Sequence, residues 1–232
     1  MRRAIATSVR VFSDVFKPRG PVIEIGSLYL PGYEQLSNLR PLFPGCEYTG
    51  CDLRQGLGVD RIEDAENLSF ADRSVRTVLM FEILEHLPNP HKAVSEARRV
   101  LSDDGVLALS VPFNYRLHGF PTDYWRFTAS GIYQLLADFP QKTVFSLGLR
   151  VKPPFIFAVA RKNVSSDFAA AQARFADTIQ ETFRRSRQRG FISALKERGR
   201  EFFGLILGRA HLGVSFYDPS QPGGYFAPKT PR

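Results

Sequence analysis

VRTVLMFEILEHLPNPHKAVSEARRVLSDDGVLALSVP, residues 75–112, sets two apolar runs on either side of a stretch with helical spacing. The runs, 75–81 and 106–111, are short and bounded by polar or turn residues, the pattern of strands buried on both faces. Between them Ala93, Val94, Ala97, Val100 and Leu101 recur at intervals of three and four, which predicts a helix over 91–101. Asp104-Gly105 reads as a turn into the second run. A strand, a helix and a strand in so short a stretch make a parallel βαβ unit with a right-handed crossover.

The same alternation continues outward. Upstream, the apolar run 22–25 ends at Gly26, EYTGCDL (47–53) reads as a second strand, and a short third strand lies near Ile62. A helix is expected from the Pro31-Gly32 turn to about Arg40, and another over 1–16 with Ile5, Val9, Phe12 and Phe16 on one face. Downstream, Thr128 is placed to cap a helix over 129–139, and two further strands follow at 142–149 and 154–162 with Pro153-Pro154 as the turn between them. The fold class is therefore α/β: a Rossmann-like, doubly wound, mostly parallel seven-stranded sheet. It occupies 1–162, followed by a basic amphipathic helical extension over 163–212 and an irregular, Pro/Gly-rich tail over 213–232. In such a sheet ligands bind at the carboxyl ends of the strands. That edge collects Gly26, Asp52, Asp64, Phe81, Glu82 and Pro112.

Length and composition agree: 232 residues, 44% hydrophobic and 23% charged, suffice for one full core plus an extension. Two cysteines, Cys46 and Cys51, form neither a disulfide framework nor a paired metal motif, which points to a reducing, cytoplasmic setting. MRRAIATSVRVFSDVF is positively charged but lacks the apolar stretch of a signal peptide, and no run approaches membrane-spanning length. The net charge of +8 is unevenly spread: residues 1–160 hold 18 Lys+Arg against 17 Asp+Glu, and 161–232 hold 13 against 6. A neutral body carries a basic appendage.

VIEIGS (22–27), EYTGCDL (47–53) and the block from Glu63 to Pro112, taken in order and spacing, resemble the methyltransferase type 11 group of class I S-adenosylmethionine-dependent methyltransferases. The resemblance spans about 140 residues. It implies S-adenosyl-L-methionine as methyl donor, held by six residues. Glu24 would meet the cofactor's amino-acid end, and Gly26 would let the chain pass close to it. Asp52 would accept both ribose hydroxyls, and Asp64 and Ala65 would reach the adenine; Phe81 lies at the same strand edge. Family members often carry a Gly-x-Gly-x-Gly loop after the first strand; here it runs Gly26-Ser27-Leu28-Tyr29-Leu30-Pro31-Gly32, without the second glycine.

Two groups offer chemistry for the acceptor. Glu82-x-x-Glu85-His86 resembles the metal-binding string of ubiquinone-pathway and small-RNA 3′-end methyltransferases, yet many type 11 enzymes carry it with Glu85 as a brace and His86 as packing. No metal is expected on this reading. His118 to Thr128 concentrates a histidine, an acid, an arginine and aromatic rings. His118 reads there as the base that takes an acceptor's proton, with Asp123 orienting it and Glu82 as a further catalytic candidate. The expected reaction is O-methylation of a small molecule, sugar or glycolipid precursor. The alternatives are a metal-assisted RNA 2′-O-methyltransferase and a non-catalytic adaptor that keeps the fold.

The basic third allows three uses. Phe168, Phe175, Ile179 and Phe183 share one helical face, and 191–207 gathers Phe191, Ile192, Leu195, Phe202, Phe203 and Ile206 beside Lys196, Arg198 and Arg200. Two helices here could cap the domain or form a homodimer contact, or 191–207 could lie on an anionic membrane and make the protein peripheral to it. Nucleic acid is the third partner considered, and no RNA-binding motif supports it.

Overall fold

The computed structural model describes residues 3–29, 31–119, 121–149, 152–198, 213–217 and 225–226. In chain order the elements are α1 (Arg3–Phe16), β1 (Val22–Ile25), α2 (Glu34–Ser37), β2 (Tyr48–Asp52), β3 (Arg61–Ile62), β4 (Val75–Phe81), α3 (Pro90–Val100), β5 (Leu101–Pro112), α4 (Ala129–Leu135), β6 (Gln141–Leu149), β7 (Lys152–Arg161), α5 (Phe168–Arg198), β8 (Gly213–Tyr217) and β9 (Tyr225–Phe226). One sheet holds the strands in the order β3-β2-β1-β4-β5-β7-β6-β8-β9. The first five run parallel, and β7 enters antiparallel between β5 and β6. The strand order reverses between β1 and β4, the switch point where open α/β sheets bind ligands.

Each face of the sheet carries its own core. On one, α3 and α4 bury Ala93, Val94, Ala97, Val100, Ile132 and Leu135 against Ile23, Ile25, Val78, Met80, Leu107 and Leu109. On the other, α1 and α5 cover Val22, Leu79, Phe81, Phe145 and Phe157. Helix α3 starts where it should: Pro90 occupies the first turn, where its missing N–H costs nothing, and the Asn89 side chain accepts from Lys92 N. Thr128 caps α4 by accepting from Gly131 N at 3.0 Å.

Several elements differ from the sequence reading. The helix expected up to Arg40 shrinks to four residues plus a 3-10 turn at Arg40–Leu42, because Pro41 removes a donor and the segment has no buried apolar stripe. Residues 102–105 bulge out of the β4–β5 ladder, where Val75 pairs with Leu101 and Thr77 already with Val106. Pro153 and Pro154 lie within β7 instead of forming a turn; their carbonyls accept from Asn114 N and Phe113 N, and the β6 register shifts beside them.

The two expected C-terminal helices are one helix as far as Arg198. Its first turns belong to the core: Phe168, Ala171, Phe175 and Ile179 are buried, and the Phe175 ring centroid lies 4.5 Å from Phe145 and 5.6 Å from Phe157. Strands β8 and β9 fall in the span expected to be irregular, so the sheet has nine strands among the described residues, seven of them the expected set. Of the proposed membrane stretch, 191–198 continue α5, and 199–207 lie outside the described residues, as does Phe120. Among the described residues no helix is long and apolar enough to cross a membrane.

Candidate active site

Strand β1 ends in a turn only glycine tolerates. Gly26 has φ +84°, and a Cβ there would stand 2.0 Å from Ile83 Cγ2. The Gly26 and Ser27 amides both donate to Cys51 O, at 2.8 and 3.0 Å, and Tyr29 N donates to Leu57 O at 3.1 Å. The loop after β1 is thus laid along the loop after β2. A Cβ on Gly56 would meet Leu28 Cδ1 at 2.4 Å, and one on Gly58 would meet the Tyr29 ring at 2.3 Å. Glycines in the loop after β2 thus leave room for Leu28 and Tyr29 of the loop after β1.

Glu24 is 8% exposed and accepts from the Tyr48 hydroxyl at 2.6 Å. Burial pushes its pKa up to about 7, against the lowering pull of Tyr48 and Arg40. Arg40 donates to Tyr48 O at 3.0 Å, lies 5.0 Å over the Tyr48 ring and pairs with Asp60, which also accepts from Gly50 N. The sequence reading missed this network. Its signal was the β1–β2 register, which sets Val22 beside Tyr48 and Glu24 beside Gly50.

Asp52 ends β2 and Asp64 follows β3, so both lie at the carboxyl-end edge with Gly26. Each uses its Oδ1 on the amide two residues on: Arg54 N at 3.0 Å for Asp52, Glu66 N at 2.8 Å for Asp64. Ala65 is buried. Helix α3 anchors this segment, since Arg99 donates to Leu68 O and Phe70 O, and Glu66 accepts from Asn89 N. Phe81 is placed differently: its ring stacks on Phe157, 5.7 Å away, inside the core, leaving only backbone at the edge. The edge suits a nucleoside-bearing cofactor: a Cβ-free turn permits close approach, and acids end two neighbouring strands.

The two groups that the sequence reading kept apart converge. A 3-10 turn, Leu84–His86, follows β4 and buries Glu85 completely. The Glu85 carbonyl accepts from Tyr124 N at 2.8 Å, which ties the 118–126 segment to that turn. The Nε2 atoms of His86 and His118 each stand 3.8 Å from Glu85 Oε1, and the two rings meet edge-on at 4.9 Å. Neither Glu85 oxygen has a hydrogen-bond partner among the described residues. Burial pushes the Glu85 pKa up to about 8, and the nearby Glu82 carboxylate adds to the rise. Glu82 itself follows β4 with φ +57°.

His118 Nδ1 lies 3.2 Å from Asp123 Oδ2, and His118 N donates to the same oxygen at 2.8 Å. Arg126 grips Asp123 with two bonds, 2.5 and 2.7 Å, and holds its carboxyl well below the usual carboxylate range. His86 Nδ1 donates to Thr122 O at 2.8 Å. At Gly119, with φ +62°, a Cβ would press within 2.9 Å of the His86 ring. At the opposite edge of the sheet a groove of about 760 Å³ is lined by Arg19, Arg76, Asp104, Arg161 and Asp167; Asp104 pairs with both Arg19 and Arg76, and Asp167 with Arg161.

Residues 37–109 match the model of a methyltransferase domain. Over 56 residues the chain is 43% identical to the uncharacterized protein YafS of Escherichia coli (strain K12), a match that spans 24% of this chain and 23% of that protein's length. An S-adenosylmethionine-dependent methyltransferase from Archaeoglobus fulgidus superposes with a TM-score of 0.55 at 16% identity, covering 70% of this chain and 95% of the other. The Burkholderia thailandensis 1,6-didemethyltoxoflavin-N1-methyltransferase, solved with its substrate and S-adenosylhomocysteine, gives 0.52 at 17% identity over 70% and 79%. The shared fold and the matched domain agree with the strand order and with the cofactor edge.

Proposed function

We propose that this chain, a class I S-adenosylmethionine-dependent methyltransferase, methylates a hydroxyl oxygen of a small acceptor bound at the Glu85–His86–His118 cluster. One observation carries the reading: two imidazoles and a buried carboxyl meet at the carboxyl-end edge, beside the strand ends that suit the cofactor. S-adenosylmethionine supplies a methyl group already activated on a sulfonium, so the protein's work is alignment, dryness and removal of the acceptor's proton.

Gly26, Asp52, Asp64 and Ala65 would receive the nucleoside end and Glu24 the cationic amino-acid end. The cluster would take the hydroxyl's proton, which a sulfur or amine acceptor would need less. Asp123 and Arg126 are positioning residues: they act on the reacting atoms through His118. The rim favours an acceptor with an apolar face. Tyr115 meets the His118 ring edge-on at 5.0 Å, and the exposed Tyr124 and Trp125 follow the turn that faces Glu85. Sugars and lipid-linked sugars offer such a face together with hydroxyls.

The test is S-adenosylhomocysteine release with a panel of free sugars, lipid-linked sugars, phenols and amines. Turnover with a hydroxyl acceptor is expected, falling by ~10²-fold or more in His118→Ala while cofactor affinity holds. Turnover confined to amines, or full activity in His118→Ala, contradicts the reading.

A further inference from the structure

We propose that the connection between β5 and α4 docks on a lipid bilayer, so that the candidate active site opens onto the membrane surface and takes an acceptor carried there. The inference rests on the function proposed above for where the acceptor enters, and goes further in naming the surface that presents it. It puts the membrane at the carboxyl-end edge of the sheet, away from the basic third. Nine large hydrophobic side chains are exposed among the described residues, and four of them, Tyr115, Leu117, Tyr124 and Trp125, fall within eleven positions. Single exposed apolar side chains are ordinary on a protein surface; a group of them marks a contact. Leu117 is 81% exposed, so its apolar surface gains almost nothing from the fold.

The two arms that carry these residues are held side by side. Arg126 grips Asp123 with two bonds and also donates to Arg116 O at 3.1 Å, and Asp123 Oδ2 accepts from His118 N at 2.8 Å. Tyr115 and Leu117 on the first arm are thereby tied to Tyr124 and Trp125 on the second. The second arm is fixed in turn to the turn after β4: Tyr124 N donates to Glu85 O, and the Trp125 indole N–H donates to Leu87 O at 2.8 Å. The indole's one polar atom is engaged, and its ring is left 43% exposed with apolar surface.

Residue type and charge select the occupant. Tyrosine and tryptophan concentrate where water meets lipid, one part of the ring among headgroups and the rest against acyl chains. Asp123 is the one acid between 113 and 128; its side chain is almost fully buried and paired with Arg126, whereas Arg116 is exposed. The outward surface of the connection is therefore apolar with positive charge, which complements anionic headgroups. A second copy of the chain seated here would cover the way to His118, whose part-exposed ring meets Tyr115 edge-on at 5.0 Å. A bilayer on the same surface brings the acceptor to that ring, and a lipid-linked sugar supplies the hydroxyl.

Trp125 is the chain's sole tryptophan, so its emission reports on this surface alone. The test mixes full-length protein, without cofactor or acceptor, with vesicles of phosphatidylcholine, with and without phosphatidylglycerol, and reads sedimentation and tryptophan emission together. Emission is expected to move to shorter wavelength on binding and to be quenched by brominated phosphatidylcholine. Leu117→Asp should weaken partitioning at least tenfold, and Arg116→Gln about fivefold on the anionic vesicles alone. Val164→Asp, exposed at the opposite edge, should leave it unchanged. Sedimentation with an unshifted, unquenched Trp125 means that another part of the chain holds the bilayer and overturns the surface, as does wild-type partitioning of Leu117→Asp. A shift produced by S-adenosylhomocysteine alone and not by vesicles overturns it too. Methyl transfer to free sugars without vesicle contact overturns this surface and leaves the reaction proposed above. Vesicle contact without transfer to any hydroxyl overturns that reaction instead.

Discussion

Replacing Glu24 with Gln should make the protein more stable at alkaline pH and poorer at holding its cofactor. Glu24 sits inside the fold, where burial lifts its pKa from 4.5 to about 7. Gln keeps an oxygen for the Tyr48 hydroxyl, so the substitution removes charge and little else. The folded pKa lies above the unfolded one. The stabilising contribution is therefore complete below about pH 4.5, shrinks as pH rises toward 7, and is gone above it. A rise of 2.5 pH units amounts to ~3 kcal/mol, or about 6–12 °C in Tm for a chain of this size. Urea denaturation at pH 4.5 and pH 9 measures the effect. The variant should match wild type at the lower pH and exceed it by ~3 kcal/mol at the higher. A cationic ligand end would bind ionised Glu24, so wild-type cofactor affinity should rise up to about tenfold per pH unit between 5 and 7, and the variant's should be flat. Stability curves that superimpose at both pH values would refute the reasoning, because then Glu24 is not paying to be charged.

Three further substitutions probe separate parts of the account. Gly26→Ala should cost ~2–4 kcal/mol of unfolding free energy, since the new Cβ meets both a left-handed φ and Ile83; adding Ile83→Ala should recover part of it, and full stability of the single variant would remove the packing argument. Phe175→Ala should lose ~3–5 kcal/mol in chemical denaturation, because Phe145, Phe157 and Phe16 all pack on that ring; a loss under ~1 kcal/mol would mean that α5 does not belong to the core. Asp123→Asn should lower kcat by ~10²-fold or more with KM for the cofactor unchanged and a shifted pH–rate profile, whereas a purely structural role would move stability without moving that profile.

The sheet was legible where strands are buried on both faces, because a continuous apolar run has few other readings: β1, β2 and β4 match theirs closely, whereas β5 begins at Leu101, ahead of the expected 106–111 run. Strands β8 and β9 were not, since a short segment in a Pro/Gly-rich tail pairs for reasons that lie in its neighbour, here the exposed edge of β6. The same limit hid the depth of α5: Phe168, Phe175 and Ile179 show a helical face, but nothing in them says that the face lies on Phe145 and Phe157. At the candidate site, the common edge of Gly26, Asp52 and Asp64 was readable because strand ends fix it. The meeting of Glu85 and His86 with His118 was not, because it depends on the fold of the 113–128 connection, where Gly119 adopts φ +62° against the His86 ring. The direction of the Phe81 side chain follows from alternation along β4, which sends it to the α1–α5 face and leaves its backbone at the edge.

The central claim is that the carboxyl ends of β1 and β2 hold S-adenosylmethionine. Calorimetric titration of the unreactive product, S-adenosylhomocysteine, into wild type and Asp52→Asn tests it most directly. Saturable one-to-one binding is expected, weakened about tenfold or more by the loss of one carboxylate at the end of β2. Absence of binding in the wild type, or equal affinity in the two proteins, would contradict the claim.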